Sequence, residues 1–125
     1  MRTFLGPRNN YYTIADASGD LVGYCCFGPD AQVGGGDYTA CALDVGLGMR
    51  PHLTGQGRGL AFFSAILDFG RRTFAPQAFR VTVAAFNQRA LRVYEKAGFR
   101  ATQTFRRDGD GLPFVILIHQ EPATL

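Results

Sequence analysis

The stretch RPHLTGQGRGLAFFSAILDFG, residues 50–70, decides the fold. From Leu60 onward its apolar residues recur at helical spacing: Leu60, Phe63, Ile66, Leu67 and Phe74, widened by Phe62 and Phe69. Arg71 and Arg72 fall near the end of that run, where cations favour the negative pole of a helix. The spacing therefore predicts a helix. Immediately before it, Gly55, Gly57 and Gly59 alternate with Gln56 and Arg58. At a helix N-terminus the first backbone N–H groups lack partners, the macrodipole is positive, and glycine lets a phosphate approach the main chain. A tight turn is the alternative, but one glycine would serve it; three, with Arg58 among them, favour phosphate binding. Two common phosphate loops fail on spacing. A Gly-x-Gly-x-x-Gly fingerprint would need glycine where Leu60 or Phe62 stands, and no Gly-Lys-Ser/Thr sequence is present.

Upstream, Tyr11 to Ala15 and Leu21 to Phe27 are strand-like runs joined by Ala-Ser-Gly-Asp, a hairpin signal. Residues 29–37 hold three consecutive glycines and read as a mobile loop. Cys41 to Met49 is a third strand, made sparse by Gly46 and Gly48 and ended by Pro51. Downstream, Phe79 to Phe86 is apolar enough for a buried parallel strand. Asn87 can cap a second helix running through Leu91 and Tyr94 to Ala97, with Gly98 at its C-terminus. Ala101 to Arg106 and Phe114 to His119 flank Arg-Asp-Gly-Asp-Gly and form a closing hairpin. The predicted class is α+β, a mixed sheet in the order strand, strand, strand, helix, strand, helix, strand, strand. Its central crossover should be right-handed.

The length, 125 residues, suits one domain spanning 1–125 with a single core. No 18-residue apolar span and no signal-peptide core are present, which points to a soluble cytoplasmic protein without a membrane partner. Three cysteines, with Cys25 and Cys26 adjacent and no Cys-x-x-Cys or histidine cluster, argue for buried free thiols and no metal. Thirteen basic against ten acidic residues leave only +3, and twelve scattered arginines make no basic tract, so a nucleic-acid partner is disfavoured.

Thr54-Gly55-Gln56-Gly57-Arg58-Gly59 resembles the Gln/Arg-x-x-Gly-x-Gly/Ala signature of the GNAT superfamily of N-acetyltransferases, with Thr54 where that family usually has Gln or Arg. The resemblance continues upstream in Met49-x-Pro51. Downstream it covers Asn87-x-x-Ala90-x-x-x-Tyr94-x-x-x-Gly98-Phe99, so that it spans roughly residues 11–119. It implies that residues 54–60, through Leu60, bind the pyrophosphate of acetyl-coenzyme A as co-substrate, that main-chain groups of Leu47, Gly48 and Met49 pair with pantetheine, and that Asn87 stands beside the cofactor. It also implies direct transfer of the acetyl group to an amine in a ternary complex. A main-chain N–H near Met49 would hold the developing oxyanion, and Tyr94 matches the family's tyrosine acid.

A full domain of this family begins with a strand and two helices ahead of the first strand read here, so the chain reads as N-terminally short. The sheet edge thereby left open suggests a homodimer. The general base is unassigned. Asp44 is the only carboxylate of its strand, yet the family's usual position falls on Leu43, and one residue of slip reverses the face. Thr82 falls where other members carry a glutamate, and His52 precedes the glycines. The acceptor is an amine, small or peptidic, that the residues do not name. A non-catalytic module that binds coenzyme A is the alternative.

Overall fold

The computed structural model describes residues 3–8, 11–50 and 58–122, with side chains from residue 11 onward. In chain order the elements are β1 (Thr3–Arg8), β2 (Tyr11–Ala15), β3 (Leu21–Phe27), β4 (Leu43–Met49), α1 (Arg58–Phe74), β5 (Ala78–Ala84), α2 (Gln88–Lys96), β6 (Arg100–Arg106) and β7 (Pro113–Gln120); a single 3-10 turn, Pro29–Ala31, precedes β4. The strands form one seven-stranded sheet in the order β1-β2-β3-β4-β5-β7-β6. Only β4 and β5 run parallel, joined by the crossover through α1.

Alternation sorts the sheet into two faces. Tyr12, Ile14, Cys25, Phe27, Val45, Phe79, Val81, Val83, Val115 and Leu117 belong to the core that the buried face of α1 (Phe62, Phe63, Ile66, Leu67) closes. Each such large apolar side chain removed from water contributes roughly 1.5–3 kcal/mol. Tyr94 and Phe99 extend this core under α2, with the Tyr94 ring 4.9 Å from Phe63. Helix α2 begins where the Asn87 side chain accepts the Ala90 N–H at 3.1 Å. It ends at Gly98, whose φ of +95° is the left-handed turn glycine adopts freely.

One strand of this sheet was not anticipated. Thr3–Arg8 pairs antiparallel with β2, and its register shifts between Leu5 and Arg8, the interval that contains Gly6 and Pro7. Both residues are poor strand formers, and proline is tolerated because β1 is an edge. The open edge expected at β2 is therefore covered, and the new edge carries two features, a proline and a register shift, that discourage further pairing. Only residues 9 and 10 separate β1 from β2, so the two helices that the family places between its first strands have no room there.

The face of the sheet opposite α1 is covered in part by residues 28–42 instead. This segment is tied down at several points, contrary to the mobile loop expected from its glycines. The Asp108 N–H donates to the Gly34 carbonyl (2.9 Å), the Asp37 N–H to the Gln103 side chain (2.9 Å), and the Tyr38 and Thr82 hydroxyls share a hydrogen bond of 2.9 Å. The glycines serve packing here: a Cβ at Gly35, whose φ is +108°, would stand 2.6 Å from the Arg106 carbonyl oxygen.

Candidate active site

Strands β4 and β5 pair through Leu43–Phe79, Asp44–Arg80 and Val45–Val81, and there the pairing ends. Beyond it β4 runs on to Met49 against β3 alone. The Asp44 carbonyl accepts from Gly28 and the Arg50 N–H donates to Val22, which sets the even-numbered main-chain groups of β4 toward β3. Alternation then turns the main chain of Leu47 and Met49 toward β5, into the gap where the ladder has stopped.

Over this gap, on the helix face, lies a cavity of about 670 Å³. Leu47, Gly48 and Met49 line it from β4, Gly59 and Leu60 from the first turn of α1, and Asn87 and Tyr94 from the cap and second turn of α2. Seven of the residues singled out from the sequence are thus brought together. Arg58 is exposed at the start of α1; Thr54, Gly55, Gln56 and Gly57, with His52, lie outside the described residues. Glycine is required at position 48 by packing on the face away from the cavity, where a Cβ would stand 2.3 Å from Cε1 of Tyr24.

Tyr94 is 7% exposed, and among the described residues its hydroxyl has no hydrogen-bond partner. Burial pushes its pKa up to about 12, so the phenol stays protonated at neutral pH. A buried, protonated and unpartnered hydroxyl beside a cavity can donate to a group developing negative charge.

Asp44 is placed elsewhere. It points to the face opposite the cavity, where its two oxygens accept from Arg80 Nε (2.6 Å) and Nη2 (2.8 Å), and Gln32 Nε2 adds a third bond at 2.8 Å. Both side chains of the ion pair are nearly inaccessible, 2% for Arg80 and 5% for Asp44. The carboxylate is saturated, and as a candidate base it is corrected to a structural anchor. The Asp44 hydrogen bonds hold the Arg80 guanidinium above its ordinary pKa. Thr82 lies on the same face, bonded to Tyr38.

A basic face of α2 went unnoticed in the sequence: Arg89, Arg92 and Lys96 also line the cavity, together with Val93. Their i, i+3, i+7 spacing, counted from Arg89, was legible. Among the described residues no group of three or more His, Cys, Asp or Glu side chains could hold a metal, and no helix is long and apolar enough to cross a membrane.

The architecture is thus a mixed sheet whose one parallel pair splays beneath a helix-walled cleft. The sequence model of the family described as Acetyltransferase (GNAT) family matches residues 2–99, and the chain belongs to that family. Its fold is similar to that of an acetyltransferase (GNAT family) from Bacillus anthracis, with a TM-score of 0.70 and 16% identity over 89% of this chain and 66% of that one. It is similar also to spermidine N-acetyltransferase from Vibrio cholerae, solved in complex with CoA and spermine, with a TM-score of 0.69 and 18% identity over 88% of this chain and 64% of that one. The chain therefore spans just under two thirds of the length of these proteins. No match is found among curated proteins.

Proposed function

We propose that the chain is an N-acetyltransferase that moves the acetyl group of acetyl-coenzyme A to an amine by direct attack in a ternary complex. The observation that carries this is the splay of β4 from β5 after Val45 and Val81, which opens a cavity between the main chain of Leu47 and Met49, turned into the gap, and buried Tyr94. The cavity fits the co-substrate chemically. Its β4 wall offers main-chain partners to an extended amide chain. The start of α1 offers helix-dipole stabilisation to phosphate, and Arg92 and Lys96 offer cations along its far side.

The thioester supplies an activated acyl carbon and a thiolate leaving group. The Met49 N–H, turned into the gap, would hold the charge developing on the acyl oxygen, an interaction worth about 3 kcal/mol per donor. Tyr94 would donate a hydrogen bond to the departing sulfur. With the phenol near 12 and a free thiol near ~8.5, complete proton transfer is uphill by about 5 kcal/mol, so Tyr94 serves as a charge-stabilising donor, and the proton the sulfur finally keeps comes from the amine.

Calorimetric titration with acetyl-coenzyme A, joined to a thiol-release assay over a panel of amines, tests the reading. Binding with amine-dependent release supports it. Binding without release to any amine would favour a non-catalytic module, a possibility the missing space for two helices motivates.

A further inference from the structure

Gly46 and Thr82 are the first residues past the last rung that joins β4 to β5, and both lie on the face away from α1, since Val45 and Val81 before them belong to the core. The segment 28–42 lies across this point. Ala31 packs on the β4 side, where a Cβ at Gly46 would stand 3.3 Å from the Ala31 Cβ. Tyr38 reaches the β5 side, its hydroxyl sharing a 2.9 Å hydrogen bond with Thr82 Oγ1 and accepting the Val33 N–H at 2.9 Å. One segment thus ties the two strands together at the place where their ladder lets go.

The two ends of this tie are unequal. On β4 the hold is multiple: the Gly28 N–H donates to the Asp44 carbonyl at 2.9 Å, the Gln32 amide donates to the Asp44 carboxylate at 2.8 Å, and Ala31 rests on Gly46. On β5 the Ala40 carbonyl and the Tyr38 ring engage Arg80, which is still inside the ladder. Past the ladder, the bond to Thr82 is the one hydrogen bond that the segment makes to β5 among the described residues. Each anchor leads into a wall of the cavity. Gly46 runs directly into Leu47, Gly48 and Met49, and Thr82 runs along β5 to Asn87, the cap of the helix that carries Tyr94.

We propose that Tyr38 and Thr82 are positioning residues of the transfer: their hydrogen bond fixes how far β5 stands from β4 past the last rung, and so how far Tyr94 stands from the main chain of Met49. This rests on the acetyltransferase reading. Neither hydroxyl lines the cavity, so the effect passes through the backbone of β5 and the cap of α2. The thioester is held by both walls at once, its acyl oxygen by the Met49 N–H and its sulfur by Tyr94. A misplacement of about 1 Å between such groups costs on the order of 100-fold in rate.

The experiment breaks the bond from either side. Thr82→Val keeps the shape of the side chain and the Tyr38–Val33 bond; Tyr38→Phe keeps the ring over Arg80 but strands the Val33 N–H; Thr82→Ser keeps the hydroxyl. Each variant is checked by circular dichroism and by calorimetry with acetyl-coenzyme A, and thiol release is then followed over the amine panel well below its Tm. Thr82→Val and Tyr38→Phe should each lower kcat about tenfold or more, with the amine KM and the acetyl-coenzyme A affinity within about threefold of the parent. The double variant should be no slower than the slower single, because one bond is lost in all three. Thr82→Ser should restore the parent kcat. A lowered Tm with kcat at the parent value in folded Thr82→Val overturns the positioning role alone, as does a Thr82→Ser variant as slow as Thr82→Val. Absence of acetyl-coenzyme A binding, or of release with any amine, in the parent overturns the acetyltransferase reading and this assignment with it.

Discussion

Asp44→Asn separates a structural carboxylate from a catalytic one. In the parent, Oδ2 accepts from both Arg80 Nη2 and Gln32 Nε2, each at 2.8 Å. The amide of asparagine turns that acceptor into a donor facing two donors, and it leaves the Arg80 charge, 2% exposed, without its counter-charge. Breaking a buried pair in this way costs about 3–5 kcal/mol; Gln32 can rotate its own oxygen toward Arg80, which favours the lower end. For 125 residues the unfolding entropy is about 0.26 kcal/mol/K, so a loss of ~3 kcal/mol lowers Tm by about 11 °C. Thermal unfolding followed by circular dichroism reads that shift. In parallel, kcat with whichever amine of the panel supports thiol release, measured well below the lowered Tm, should stay within threefold of the parent. A double variant, Asp44→Leu with Arg80→Leu, should lose less stability than the two single changes summed, because neither leaves a lone charge. A 100-fold fall in kcat with Tm unchanged would refute the reasoning and make Asp44 the base after all.

Tyr94→Phe should lower kcat about tenfold to 100-fold with acetyl-coenzyme A affinity intact, read by steady-state kinetics and calorimetry; an unchanged kcat removes the hydroxyl from the chemistry. Arg92→Glu with Lys96→Glu, on the basic wall of the cavity, should weaken binding of acetyl-coenzyme A more than that of its 3′-dephospho form, since one fewer phosphate then meets the reversed charge; equal losses would place the phosphomonoester elsewhere. Among the thiols, Cys41 is exposed while Cys25 and Cys26 are buried, so a chromogenic disulfide should titrate one thiol quickly at pH 8 and the other two only in denaturant. Alkaline stability follows from sign: burial raises both Cys25 and Tyr94 to about 12, while the unfolded groups ionise near ~8.5 and ~10. The urea midpoint should therefore hold up to about pH 8.5 and fall progressively toward pH 12, and Cys25→Ala should flatten the first part of that fall.

Much of this architecture was legible because its signals are local. The alternation in residues 11–15 and 21–27, the helical spacing after Gly59 and the Asn87 cap are each written within a few residues, and the corresponding elements follow them closely. The features that escaped depend on distant partners. β1 contains Gly6 and Pro7 and becomes a strand only because β2 offers a ladder to its edge. Residues 28–42 look like a free loop in their glycines, yet Gln103, Thr82 and the main chain of Asp108, all far along the chain, hold them. The facing of Asp44 hinges on a register that one residue of slip would reverse.

These three cases have one physical connection. With no room for helices between β1 and β2, the sheet face opposite α1 would expose the polar pair Asp44–Arg80 to water, where it would be worth little. The 28–42 segment covers it: the Ala40 carbonyl accepts from Arg80 Nη1 at 2.9 Å, Gln32 completes the carboxylate, and the Tyr38 ring lies over the guanidinium. The same segment that buries the ion pair also ties itself to β5 through the Tyr38–Thr82 hydrogen bond. A carboxylate spent on holding this segment in place is unavailable to the reaction. Weakening the clasp by Gln32→Ala removes one charge-assisted hydrogen bond of about 1.5 kcal/mol and should therefore lower Tm by about 6 °C, while leaving acetyl-coenzyme A, on the other face, bound as before. Loss of acetyl-coenzyme A affinity in that variant, with Tm unmoved, would show that this segment bears on the cavity rather than on the ion pair.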